Sequence, residues 1–245
     1  MTSEKRIAIV TGASRGIGAA LAHRLAMDGF CTIINYLSDS EAAKRVVARI
    51  EEAGGMAMAV QADVSEPHGI RHLFDVAEHE YGLVDVLVNN AGILKVAPIA
   101  SVSDEDFNAQ MKINVFGAFY GLREGANRVR DGGRIISLST SIVGTYMPVH
   151  GVYAATKAAV ETMTRVLAKE VGNRQITVNA VSPGPVGTDL FLAGRSEEII
   201  QRITADIPMG RLGEPDDIAR IVSFLAGPES SWISGQVIRA NGGRN

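Results

Sequence analysis

The chain has 245 residues, with 24 Lys and Arg against 27 Asp and Glu, a formal net charge of -3, and 46% hydrophobic and 21% charged residues. That profile fits an ordinary globular protein long enough for one well-packed core, and it gives no electrostatic case for nucleic acid or an anionic membrane as a partner. The single cysteine, Cys31, rules out an internal disulfide; with no apolar run near the roughly 18 residues of a membrane span and a polar lead lacking a signal peptide's apolar core, a reduced cytoplasmic compartment is expected.

A first apolar strand is predicted over 7–10. The turn Thr11-Gly12-Ala13-Ser14-Arg15-Gly16-Ile17-Gly18 follows it directly and leads into a helical pattern over 16–28. Strand 31–36, helix 39–53, strand 56–62, helix 66–81 and strand 84–89 come next, then a long helical stretch over 104–130 and strand 134–139. Helix 152–171, strand 176–181, helix 214–226 and strand 237–239 complete the alternation. Residues 188–213 interrupt it and are expected to form a helical insertion that acts as a substrate loop. Strands separated by helices rather than by hairpin turns imply parallel pairing through right-handed crossovers. Strands that are apolar throughout imply helices on both faces. The expectation is one α/β domain spanning 1–245, a doubly wound parallel sheet of about seven strands.

The glycine turn is placed to hold a pyrophosphate. Glycine permits close backbone approach, and the free N–H groups at the start of the next helix attract an anion. The spacing is G-x-x-x-G-x-G, which differs from the general dinucleotide fingerprint G-x-G-x-x-G. The second strand chooses between dinucleotides. NAD-binding domains commonly end it in a carboxylate that accepts from the ribose 2′-OH. Here it ends Ile34-Asn35-Tyr36-Leu37-Ser38, with no carboxylate before Asp39. Asn35, Ser38 and Arg15 are therefore candidates for the adenosine end, with Arg15 and Ser38 suited to a 2′-phosphate, and NADP(H) is favoured over NAD(H).

Tyr153 and Lys157 stand at i and i+4 near the start of a predicted helix, so phenol and ammonium share a face. An ammonium about 4 Å away at an effective dielectric near 20 is worth roughly 4 kcal/mol, enough to lower a phenol pKa by about 3 at most. Such a pair can give a proton to a developing alkoxide, or take one back.

Taken together, TGASRGIG, Asp63-Val64, Asn89-Asn90-Ala91-Gly92, Asn114, the hydroxyl cluster 139–141, Tyr153/Lys157 and Pro183-Gly184 resemble, in order and spacing, the classical short-chain dehydrogenase/reductase family over nearly the whole chain. The resemblance implies a Rossmann fold and a hydride exchanged between NADP(H) and a small carbonyl or alcohol. It assigns Tyr153 as general acid/base, Lys157 to the nicotinamide ribose, Asn114 to a water in a proton relay, and a hydroxyl to the substrate oxygen. It gives Gly12, Ser14, Arg15, Gly16, Ile17 and Gly18 to the phosphates, Asp63 and Val64 to the adenine, and Asn90, Ala91 and Gly92 to the adenosine ribose. Pro183, Gly184, Val186 and Thr188 fall to the nicotinamide. The family's serine commonly lies thirteen residues before the tyrosine, which here is Thr140. Matching Ile142-Val143-Gly144 to the family's loop favours Ser141, and Ser141 is taken as the catalytic hydroxyl. The resemblance also implies a homotetramer.

Within the family the stretch from Leu190 onward is similar to NADPH-dependent aldehyde reductase-like members, with 3-oxoacyl-acyl-carrier-protein reductases as the alternative. Carrier-protein docking asks for a basic patch, whereas only scattered cations such as Arg195, Arg202 and Arg211 lie near the expected mouth. A catalytically silent NADP-binding regulator is a more distant alternative, because both Tyr153 and Lys157 are present. His68, His72 and His79 share one helical segment without further ligands, so no metal site is expected.

Overall fold

The computed structural model describes residues 5–245. The polar lead at residues 1–4 lies outside the described residues. Seven parallel strands form one sheet in the order β3-β2-β1-β4-β5-β6-β7. They are β1 (Arg6–Val10), β2 (Phe30–Tyr36), β3 (Met56–Gln61), β4 (Val86–Asn89), β5 (Arg134–Leu138), β6 (Thr177–Pro183) and β7 (Val237–Ala240). The chain winds outward from β1 to β3, returns to place β4 on the other side of β1, and winds outward again to β7. The reversal opens a crevice at the carboxyl ends of β1 and β4, where α/β sheets of this kind bind ligands.

Strand alternation divides the core between the two faces. Ala8 and Val10 of β1 pack with α1 (Gly16–Met27) and α2 (Ser40–Glu52), and with α10 (Pro215–Ala226). Ile7 and Ile9 pack on the other face against α3 (Pro67–Glu80), which contributes Ile70, Leu73, Phe74 and Ala77. Because successive side chains point to opposite faces and both faces are covered, β1 is apolar at every position that faces a helix. Cys31 is buried in β2 among the second of these clusters, and burial pushes its thiol pKa up, the environment of an inert packing residue.

Two predicted elements take a different form. The stretch expected as one helix over 104–130 is α4 (Asp104–Gln110), a π-helical segment Met111–Gly117, and α5 (Ala118–Arg128). The wider π turn accommodates buried Asn114 and Gly117, and such turns recur at functional sites. A short α6 (Ile142–Thr145), without apolar periodicity to announce it, precedes α7 (Gly151–Glu170). The insertion is helical as expected, with α8 (Asp189–Leu192) and α9 (Glu197–Ala205). Thr188 caps α8, accepting from the Phe191 amide at 3.3 Å, and Ser196 caps α9, accepting from Ile199 at 3.4 Å.

Candidate functional site

The glycine turn is held from three sides. Gly12 N donates to Asn35 Oδ1 at 3.0 Å, and Ala13 N donates to Asn35 O at 2.8 Å. Asn90 Nδ2 donates to Thr11 O at 2.8 Å and to Gly12 O at 3.0 Å. The amides of Asn90 and Ala91 both donate to Thr11 Oγ1, at 2.9 and 3.0 Å. Gly12 and Gly16 have φ of +60° and +56°, in the left-handed region that other residues adopt at a cost. A Cβ on Gly12 would lie 3.0 Å from Ala91 Cα.

Asn35 is buried in β2, and its side chain meets protein groups: Oδ1 accepts from Gly12, while Nδ2 donates to Ala62 O at 3.0 Å and, more weakly, to Tyr36 O and Val60 O. It braces the turn from below. Ser14 and Ile17 are half-buried around the same turn, and Arg15 and Ser38 are exposed. Arg15 makes no ion pair among the described residues. The carboxylate of Asp39, the first after β2, caps α2 by accepting from Ala42 N at 2.9 Å. Asp63 Oδ1 accepts from both the amide and the hydroxyl of Ser65, at 2.9 and 2.7 Å, and Val64 lies buried under Gly117.

These residues fit a dinucleotide. The first turn of α1 carries neither a capping side chain nor an acidic residue, so its N–H groups and positive dipole end are open to a phosphate. The tight glycines supply the space, and the exposed Arg15 guanidinium supplies a cation at the same mouth. Thr188, at the start of the insertion, sits over the turn, its methyl 3.6 Å from where a Cβ on Gly16 would be. Val186 pairs with Gly213 across the base of the insertion, and Gly184 N donates to Ala240 O at 2.8 Å.

The second half of the site gathers at the ends of β4, β5 and β6. A Cβ on Gly92 would come within 3.2 Å of Asn114 Oδ1 and 3.3 Å of Lys157 Nζ, so these three predicted residues share one small space. Asn114 accepts from Ile93 N at 2.8 Å and donates to Ile93 O at 2.9 Å and to Thr156 Oγ1 at 3.1 Å. Ser141 N donates to Pro183 O at 2.8 Å, which fastens the hydroxyl cluster to the end of β6. Thr156 was not anticipated; its signal was only its place beside Lys157.

Burial dominates the electrostatics. Lys157 is 5% exposed, and its Nζ donates to Leu138 O at 2.8 Å. Loss of hydration disfavours the ammonium and brings its pKa down to about 8. Enclosure of the Tyr153 hydroxyl pushes the phenol up to about 12, opposed by the nearby Thr140 side chain. The depression expected from the i+4 ammonium is therefore not what the structure has. The Lys157 ammonium is turned onto a β5 carbonyl, and desolvation dominates the shift of the phenol.

The three hydroxyls have different partners. Ser139 Oγ donates to Glu161 Oε1 at 2.7 Å. Thr140 Oγ1 accepts weakly from Ile142 N at 3.4 Å. Ser141 is buried at the head of α6, its carbonyl accepting from Asn245 Nδ2 at 3.1 Å. Among the described residues no group of His, Cys, Asp and Glu is arranged to hold a metal ion, and no helix is long and apolar enough to cross a membrane.

A family model described as enoyl-(acyl carrier protein) reductase matches residues 12–245. A short-chain type dehydrogenase/reductase of Picea abies is 45% identical over 249 residues, covering 98% of this chain and 92% of that protein. A chloroplastic NADPH-dependent aldehyde reductase-like protein of Arabidopsis thaliana is 45% identical over 252 residues, covering 97% of this chain and 93% of that protein. The crystal structure of a short chain dehydrogenase from Burkholderia cenocepacia in complex with NADP superposes with a TM-score of 0.92 at 37% identity, covering 98% of each chain.

Proposed function

Because the chain belongs to the short-chain dehydrogenase/reductase family, we propose that it is an NADPH-dependent reductase that converts an aldehyde or ketone to the alcohol, with Tyr153 as proton donor. The observation that carries this reading is the convergence of the glycine turn with an enclosed Tyr153 and a buried Lys157 at adjacent strand ends of one crevice. The relatives named above for NADPH or solved with NADP support the choice of cofactor, as do the exposed Arg15 and the engagement of Asp39 in capping α2.

The bound reduced dinucleotide supplies the hydride that reaches the carbonyl carbon. The chain supplies the rest. Gly12, Gly16 and the first turn of α1 hold the phosphates, with Ser14, Ile17, Gly18, Asn90, Ala91, Asp63 and Val64 shaping the adenosine side. Pro183, Gly184, Val186 and Thr188 border the nicotinamide side. Tyr153 gives its proton to the carbonyl oxygen as charge develops there, and Lys157 holds the nicotinamide ribose and a positive charge beside it. The oxygen must lie within hydrogen-bond reach of the phenol; Ser139 is spent on Glu161, and Ser141 takes the substrate-oxygen role, with Thr140 beside it.

Two of the three cations expected near the mouth are engaged within the chain. Arg195 stacks on the Phe191 ring at 4.4 Å, and Arg211 pairs with Asp217 at 2.7 Å. Little basic surface is left for an acidic carrier protein, and a free carbonyl is favoured over an acyl-carrier-protein thioester. The cytoplasmic location and the homotetramer stay part of the proposal. Phe116, Phe119 and the 98% exposed Trp232 offer apolar surface for self-association.

The test is titration with NADPH and NADH, followed by turnover on aldehydes, ketones and an acetoacetyl thioester. Tight NADPH binding, turnover of free carbonyls, and a rate about 10²-fold lower in Ser141→Ala but kept in Thr140→Val are expected. Binding without turnover on any carbonyl would favour the silent regulator, and binding of neither dinucleotide sinks the oxidoreductase reading.

The pH dependence follows from the two shifted groups. Tyr153, near 12, stays protonated and competent to donate across the ordinary range. Lys157, near 8, loses its charge as pH rises through that value, and with it the electrostatic support for the forming alkoxide. For reduction, kcat/KM should be level below pH 8 and fall above it, since that parameter reports the free enzyme's groups. A profile level to pH 10 would remove the ammonium from the mechanism.

A further inference from the structure

Tyr153, Lys157, Glu161 and Arg165 follow one another at i+4 intervals and so line one face of α7. The middle two hold consecutive residues at the end of β5. Lys157 Nζ donates to Leu138 O at 2.8 Å, and Glu161 Oε1 accepts from Ser139 Oγ at 2.7 Å. Glu161 is 8% exposed and Ser139 5%, so this carboxylate is enclosed among protein groups. Its other oxygen lies 3.6 Å from Arg165 Nη2. Beyond it a cavity of about 230 Å³ opens between Glu161, Arg165, Ser182 and Arg239, with Thr140 on its wall.

A buried carboxylate is costly unless it is hydrogen-bonded, and an apolar residue of similar size commonly serves stability as well or better. A carboxylate that reaches 22 residues back to the hydroxyl next to Thr140 needs a reason other than packing. We infer that Glu161 is a positioning residue for the reaction, holding Ser139 and through it the Thr140–Ser141 end of β5 against α7, which carries Tyr153. The Ser139 hydrogen is committed to the carboxylate, so Ser139 cannot donate to the substrate oxygen, and that role is left to its neighbours. With Glu161 gone, Ser139 is free to rotate and the end of β5 loses one of these two ties to α7. The phenol and the neighbouring hydroxyls are then no longer held in a fixed geometry. The dinucleotide-binding turn, on β1 and α1, is unaffected.

This inference rests on the proposed reductase activity, and the experiment separates the two. The full chain is assayed as wild type, Glu161→Leu, Glu161→Gln, Ser139→Ala and Ser139→Ala/Glu161→Leu, reading kcat, KM, NADPH dissociation constant and thermal midpoint. Glu161→Leu and Ser139→Ala are each expected to lower kcat by about tenfold with KM and NADPH affinity held, since both remove one charge-assisted hydrogen bond. Glu161→Gln, which keeps an accepting oxygen for Ser139, should recover most of the rate, and the double variant should be no slower than either single one. A purely structural role would lower the thermal midpoint and leave the kcat of the folded fraction at the wild-type value, which overturns the inference. So would losses that multiply in the double variant. Should Glu161→Leu fail to fold, Ser139→Ala decides the matter, because it removes the same bond while keeping Glu161 and its contact with Arg165 in place. A wild-type chain that binds NADPH but turns over no carbonyl overturns the activity, and this inference with it.

Discussion

Tyr153→Phe is expected to lower kcat for carbonyl reduction by about 10²- to 10⁴-fold, the usual worth of a positioned general acid, with the NADPH dissociation constant unchanged. The substitution removes only the hydroxyl; the ring stays packed at the head of α7. Lys157 keeps its place because its ammonium is held by Leu138 O and owes nothing to the phenol. The loss should therefore appear in kcat and kcat/KM alike, the signature of an interaction made in the transition state. The high phenol pKa sets a direction as well. A group near 12 gives up its proton to an alkoxide yet is almost wholly protonated at neutral pH, so it is a poor base for the reverse oxidation until the pH is raised. Single-turnover measurement with NADPH separates the chemical step from product release. A kcat within threefold of wild type would move the proton donor to another group.

Gly18→Ala should all but abolish dinucleotide binding. A Cβ at this position would stand 2.4 Å from Gly12 O, 2.5 Å from Asn90 Nδ2 and 2.9 Å from Ala13 Cα. Two of those atoms are backbone of the turn itself. The third belongs to the amide that ties Thr11 O and Gly12 O in place. No rotation of a flexible side chain relieves the clash, so the turn must shift away from α1, and the phosphate site lies between them. Overpacking of this kind typically costs about 1–3 kcal/mol, and spending about 3 kcal/mol on binding weakens it by about 100-fold. Titration of NADPH fluorescence checks this. Gly172→Ala is the control, because a Cβ there meets nothing within 4 Å. Wild-type affinity in Gly18→Ala would mean that the turn does not hold the phosphates.

Much of the fold was legible because its signals are local. Apolar runs of four to seven residues separated by amphipathic stretches predict a parallel sheet with both faces covered, since a strand enclosed by helices has no polar side to show. The seven strands lie where those runs are. The glycine turn was legible for the same reason: after β1 the chain must reverse tightly into α1, and Gly12 and Gly16 take the positive φ that this needs. Tyr153 and Lys157 share a face because of helical periodicity alone. The π segment at Met111–Gly117 was not legible, because one extra residue per turn leaves the apolar pattern nearly unchanged while it reorients Asn114.

What the sequence by itself determined was the alternating architecture, the position of the phosphate turn and the pairing of Tyr153 with Lys157. Each depends on residues within about one helical turn of one another. The tertiary structure alone decided that Ser139, of three adjacent hydroxyls, is spent on Glu161, because successive residues at a strand end point different ways and this partner comes from a distant helix. It decided that Asn35 braces the turn. It also reversed the direction of the Tyr153 shift. An ammonium four residues away can be read from the chain, but desolvation sums over atoms brought in from the ends of β4, β5 and β6, and no local pattern records that sum.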